Sequence, residues 1–174
     1  MDAQNHPIFK EKIDPKDIAK ILCINEENID TQYPIQIVST GLPTVIAPIK
    51  TLIVLESYLI NHNAYQQLID KAGKVSLLIF TQETIKEEND LHLQVFVDDT
   101  GFFEDPATGS ANGNLAAYLL KYNFFNGTNL DLKFEQGYAI YRPSLIRIKA
   151  EYFNENFSIR IGGKVFLVAK GEWM

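Results

Sequence analysis

Residues 103–113 read Phe-Glu-Asp-Pro-Ala-Thr-Gly-Ser-Ala-Asn-Gly, two adjacent carboxylates followed by a cluster of very small residues. The cluster runs into Leu115-Ala116-Ala117-Tyr118-Leu119-Leu120. That apolar run predicts a helix over 109–122 that is hydrophobic all round and belongs inside a domain. Thr108, Gly109, Ser110 and Ala111 leave its first turn almost bare of side chain. A helix N-terminus presents unpaired N–H groups and partial positive charge, so a bare one can receive a small anion. If that anion is a substrate carboxylate, the same donors stabilise the enolate formed when the neighbouring α-proton leaves. A nearby carboxylate would then serve as acid or base, provided burial brought its pKa toward neutrality.

Asp105-Pro106 by itself points to no site. Asp-Pro is a routine N-cap and first-turn pair, and Asp14-Pro15-Lys16-Asp17 opens an ordinary helix in the same way, running to Leu22 or Cys23. Asp14 lacks the following Thr108-Gly109-Ser110-Ala111 run, in which backbone and hydroxyl donors form a cup beside a carboxylate. Gly109 is a poor helix former, so it stands there at a cost in propensity.

The elements that must position this cup are mostly strands. Alternation or apolar runs mark strands at 35–38, 44–49, 75–81, 91–97, 130–136, 145–152, 156–161 and 164–169. Pro48 implies an edge or a bulge in the second of these. Residues 63–71 read as a helix closed by Gly73, while 51–58 suits either strand or helix. Short turns at 154–156 and Gly162-Gly163 make the last three strands an antiparallel meander. About eight strands, one central helix and two peripheral ones give an α+β fold, a single domain over 1–174. Its simplest form is a strongly curved, mostly antiparallel sheet wrapped around the 109–122 helix. No regular β-α-β alternation, G-x-G-x-x-G or P-loop is present.

Bulk properties narrow the function. The net charge of -6 and pI near 5.1 argue against a nucleic-acid binder. Cys23 is the only cysteine, and it falls on the apolar side of its helix, as a buried thiol would. His6, His62 and His92 are far apart, with His92 facing outward from its strand, so no metal is assigned. No run reaches the length of a membrane span, and the polar opening Met1-Asp2-Ala3-Gln4 carries no targeting signal, which makes the cytoplasm the expected compartment.

The stretch from Glu104 to Ala111 closely resembles the E-D-P-x-T-G-S-A signature of the phenazine-biosynthesis PhzF-like isomerases, which have the diaminopimelate-epimerase-like fold. Pro34 to Pro43 is similar to that family's second-half opening strand and turn. Glu135-Gln136-Gly137 with Arg142-Pro143-Ser144 is similar to its Q-G…R-P-S segment, and 161–172 to its closing hairpin. Family members are about twice this length (two halves with the site between them, each of ordinary domain size), and this chain matches the C-terminal half only. The resemblance implies that Asp105 is the active-site aspartate that binds and polarises substrate. It implies that Thr108, Gly109, Ser110 and Ala111, with Gln136 and Gly137, form the substrate-binding set, that Glu104 is structural, and that no cofactor or metal is used. Asn112 departs from the histidine that many members carry there.

Two functions follow. The first is the C-terminal domain of an isomerase or epimerase that moves a proton adjacent to a carboxyl group of a small substrate. It needs an N-terminal half, or a second copy in a homodimer, to supply the catalytic glutamate. The second is a non-catalytic module that binds a small carboxylate or oligomerises.

Overall fold

A computed structural model describes residues 1–97 and 103–171; the acidic run at 98–102 and residues 172–174 lie outside the described residues. The strands are β1 (Asp2–Ala3), β2 (Ile8–Lys12), β3 (Gln36–Ser39), β4 (Pro43–Pro48), β5 (Ser76–Thr81), β6 (Leu91–Val97), β7 (Phe103–Asp105), β8 (Asn129–Gln136), β9 (Ser144–Phe153) and β10 (Asn156–Gly162). The helices are α1 (Pro15–Leu22), α2 (Leu52–Ser57), α3 (His62–Ala72) and α4 (Gly109–Lys121). The segment whose pattern suited strand or helix is thus helical, as α2. No helix among the described residues is long and apolar enough to cross a membrane.

All ten strands join one mixed sheet in the order β1-β10-β9-β8-β6-β5-β4-β3-β2, with β7 also on β6. Pairing is antiparallel except for β4 with β5 and β6 with β8. Each parallel pair needs a crossover, and the helices supply it: α2 and α3 between β4 and β5, α4 between β6 and β8. Pro48 lies past the last β3–β4 partner, Gln36↔Ile46, so its missing N–H faces no partner strand.

Helices cover both faces of the sheet's middle. Leu91, Leu93 and Val95 of β6 pack in one core with α4, while Phe96 joins a second core with α1 and α3. Two-sided burial overturns the outward placement of His92, which is 1% exposed against Glu135. Residues 111–120 of α4 are all buried, packed against β3, β4, β8, β9 and β10. Fully burying a leucine contributes about 1.5–3 kcal/mol, so Leu115, Leu119 and Leu120 anchor this arrangement. The sheet curls until its edges meet. Phe9 of β2 lies 5.8 Å from Phe157 of β10, and the Thr40 hydroxyl just after β3 donates to Gln4 Oε1 just after β1 at 3.4 Å.

Two further expectations fail. Cys23 adopts φ 51° as the residue ending α1, and this left-handed turn brings it off the apolar face into solvent. The strand expected at 164–169 does not form. The free edge of β10 is instead taken by β1, Asp2 pairing with Ile161 and Ala3 with Arg160, and the chain beyond Gly162 has no regular structure through Gly171.

Candidate anion site at the start of α4

The three longer helices differ in how they begin. Asp14 caps α1 by accepting the Lys16 amide at 2.9 Å, and Asn61 caps α3 by accepting the Ala64 amide at 3.0 Å. The residue before α4 is Thr108, and its side chain makes no capping bond. Asp105-Pro106 does not open the helix either, because Asp105 ends β7. The amides of Gly109, Ser110 and Ala111 have no hydrogen-bond partner among the described residues. No acidic residue stands in the first turn, and Lys121 in the last complements the helix dipole. The positive end of α4 is therefore left open.

Thr108 does not cap because other partners hold its hydroxyl oxygen away from the helix amides. Its hydroxyl donates to Asp105 Oδ2, and its amide donates to Gln136 Oε1 at 3.2 Å. The Gln136 Nε2 donates to the Asp105 carbonyl at 2.6 Å and to Thr108 Oγ1 at 3.1 Å. Asn112 Nδ2 donates to Gln136 Oε1 and to the Thr108 carbonyl, both at 2.8 Å. This network stitches the β7 end, the α4 start and the β8 end together.

A cleft of about 500 Å³ opens beside the helix start, lined by Ala107, Gly109, Ser144, Leu145, Gly163 and Phe166 among others. Gly109 is exposed there, and a Cβ on it would meet nothing within 4 Å. Of the residues singled out from sequence, Asp105, Thr108 and Ser110 are half-buried around this start. Ala111 points into the core and can offer only its amide. Gln136 is fully buried in the network, and Gly137 is buried at φ 78°. Sequence reasoning passed over Asn112 as a network member and Phe166 as a cleft wall. No group of three metal-binding side chains occurs among the described residues.

The two adjacent carboxylates point to opposite faces of the sheet. Asp105 lies across from Val95, on the α4 side, and Glu104 across from Phe96, which packs against Tyr58. Burial pushes Glu104 up to about 7, and its buried Oε1 has no hydrogen-bond partner among the described residues. The near-neutral carboxyl is thus not the one facing the helix start. Native Glu104 holds its proton more tightly than the unfolded chain does. Its contribution to stability is fully present below the ordinary value of 4.5 and is lost as pH rises through about 7. Glu104→Gln is expected to raise stability at pH 8 by about 1–2 kcal/mol, discounted for partial exposure, and to leave it unchanged at pH 4. Urea unfolding at the two pH values measures the difference, and an equal gain at both would remove the ionisation effect.

The sequence model described as phenazine biosynthesis-like protein matches residues 3–171. The chain is 30% identical over 162 residues to the uncharacterized isomerase YfhB of Bacillus subtilis, covering 92% of this chain and 55% of that protein. It is 28% identical over 176 residues to the uncharacterized isomerase YddE of Escherichia coli, covering 98% and 59%. Among solved structures, a PhzF-family phenazine biosynthesis protein from Bacillus anthracis superposes with a TM-score of 0.83 at 28% identity, over 92% of this chain and 56% of that one. A predicted epimerase from Pseudomonas aeruginosa gives 0.74 at 26%, over 99% and 57%. The chain spans about half the length of the curated relatives it matches.

Proposed function

The chain belongs to the phenazine biosynthesis-like protein family, and from that membership we propose that it acts as the C-terminal half of a PhzF-like isomerase or epimerase. In this reading it has half of the diaminopimelate-epimerase-like fold, with α4 as the central helix, and moves a proton next to a carboxyl group without a cofactor. The observation that carries the reading is the uncapped start of α4 opening beside Asp105 onto the cleft.

The substrate carboxylate sits on the Gly109 and Ser110 amides, and Asp105 binds and polarises the substrate next to it. A glutamate from a second half takes the α-proton, the electron pair passes into the carboxylate as an enolate, and the helix start stabilises the added charge. The proton then returns to carbon at a new position or face. Two observations support a partner. The chain covers 52–59% of its relatives' length. Beside the cleft, Val165, Phe166, Leu167 and Val168 are 68–92% exposed in succession, and apolar patches of that kind usually mark interfaces.

The test is deuterium wash-in. The chain alone, and mixed with a separately expressed N-terminal half of a relative such as YfhB, is incubated in D₂O with small carboxylates and followed by NMR. Exchange is expected in the mixture and not in the chain alone. If no pairing exchanges while carboxylates still shift the Gly109 and Ser110 amide signals, the chain is a binding module and the catalytic reading is withdrawn.

A further inference from the structure

Gln136 and Asn112 are both 0% exposed, and their hydrogen bonds run in only one direction. The Thr108 carbonyl can only accept, so the Asn112 group beside it is the Nδ2 donor. That nitrogen also faces Gln136, and so does the Thr108 backbone N–H, which can only donate. Two donors oblige Gln136 to turn its oxygen toward them. Its nitrogen then faces the Asp105 carbonyl, another fixed acceptor, and the Thr108 hydroxyl. A flipped Gln136 would set oxygen against carbonyl and nitrogen against two donors. Backbone groups at both ends therefore set the orientation of Gln136, while the Thr108 carbonyl sets that of Asn112, whose buried Oδ1 has no partner among the described residues.

The consequence reaches Asp105. Thr108 Oγ1 accepts a hydrogen bond from Gln136 Nε2, which orients the hydroxyl, and the hydroxyl donates to Asp105 Oδ2. The Oδ2 of Asp105 is thereby held as a hydrogen-bond acceptor. Its Oδ1 has no hydrogen-bond partner among the described residues and remains open to a donor on a ligand. We propose that Gln136 is a positioning residue: oriented by Asn112 and acting through Thr108, it holds Asp105 as a hydrogen-bond acceptor beside the open start of α4. This rests on the reading of Asp105 as a substrate-binding group. It assigns Gln136 no contact with substrate.

NMR on the full 174-residue chain, isotopically labelled, tests this in two ways. The Thr108 hydroxyl proton should exchange slowly and show coupling to the Asp105 carboxyl carbon. That signal should survive as a serine hydroxyl in Thr108→Ser and vanish in Gln136→Leu; its persistence in Gln136→Leu overturns the proposal. Acetate and glycolate are then titrated while the Gly109 and Ser110 amides are followed. Glycolate adds a hydroxyl donor for Asp105, so it should bind about tenfold tighter than acetate. The ratio should fall to near one in Gln136→Leu and in Thr108→Val, and hold in Thr108→Ser. A weakening of both ligands with the ratio intact would mean that Gln136 is merely structural, and would also overturn the proposal. If neither ligand moves the amides, the anion-site reading fails, while the hydroxyl coupling still decides the part played by Gln136.

Discussion

Glu135→Ala is expected to destabilise the fold by about 3–5 kcal/mol, since it removes a buried hydrogen-bonded carboxylate and orphans its partners. Glu135 is 0% exposed and accepts four hydrogen bonds: from Asn89 Nδ2 at 2.7 Å, the Ile85 amide at 2.8 Å, the Lys86 amide at 2.9 Å and His92 Nδ1 at 2.9 Å. Because an ionised carboxylate can only accept, His92 must carry its proton on Nδ1. The bonds from Ile85, Lys86 and Asn89 pin the 82–90 connection to β8. Burial alone would raise the Glu135 pKa, but the bonds from Asn89, His92, Ile85 and Lys86 outweigh it and hold the carboxyl below its ordinary range. A depressed carboxyl contributes stability that is present above its unfolded value and is lost as pH falls through its folded one. Glu135→Gln should accordingly lose less stability on acidification than the natural chain. Chemical denaturation between pH 7 and pH 3 measures both effects. A Glu135→Ala loss below about 1 kcal/mol would mean that the four bonds are no better than the water they replace.

The second large effect is expected at Gly137. It stands at φ 78°, and a Cβ there would clash with the Arg142 carbonyl oxygen and come within 2.8 Å of the Pro106 carbonyl oxygen. Both obstacles are backbone, so relief requires moving either the 138–142 turn or the segment joining Asp105 to Thr108. Gly137→Ala should cost about 2–4 kcal/mol, combining left-handed strain with overpacking. The displacement matters beyond stability, because Gln136 would be pulled from Asp105 and Thr108. Thermal unfolding together with amide shifts at Thr108, Gly109 and Ser110 would show it. Native-like shifts with unchanged stability would rule out the close approach.

Much of this protein was legible in order along the chain. Asp14-Pro15 named the start of α1, Gly73 the end of α3, and the apolar run after Ser110 named α4. Signals of this kind are local, since a cap or a missing side chain acts within one turn. What went unread depended on partners distant in sequence. Alternation in 91–97 implies one wet face and so an outward His92, yet Glu135, Tyr138 and the 82–90 connection bound to Glu135 cover it. The 164–169 run has strand composition but no partner, because β1 occupies the edge it would have used. Asp105-Pro106 resembled Asp14-Pro15 closely enough to pass for a cap, and only the pairing of β7 with β6 showed Asp105 to be a strand end.

The cup itself divides along the same line. Sequence alone determined that the first turn of α4 would be bare, because Gly109, Ser110 and Ala111 have almost no side chain to place there. Whether that turn would also be uncapped was decided by tertiary structure. Thr108 is a good capping residue by type, and its hydroxyl is drawn away by Asp105 and by Gln136, which lies 28 residues further on. A cap needs the hydroxyl oxygen turned toward the helix amides, and the fold holds it against Asp105 and Gln136 instead.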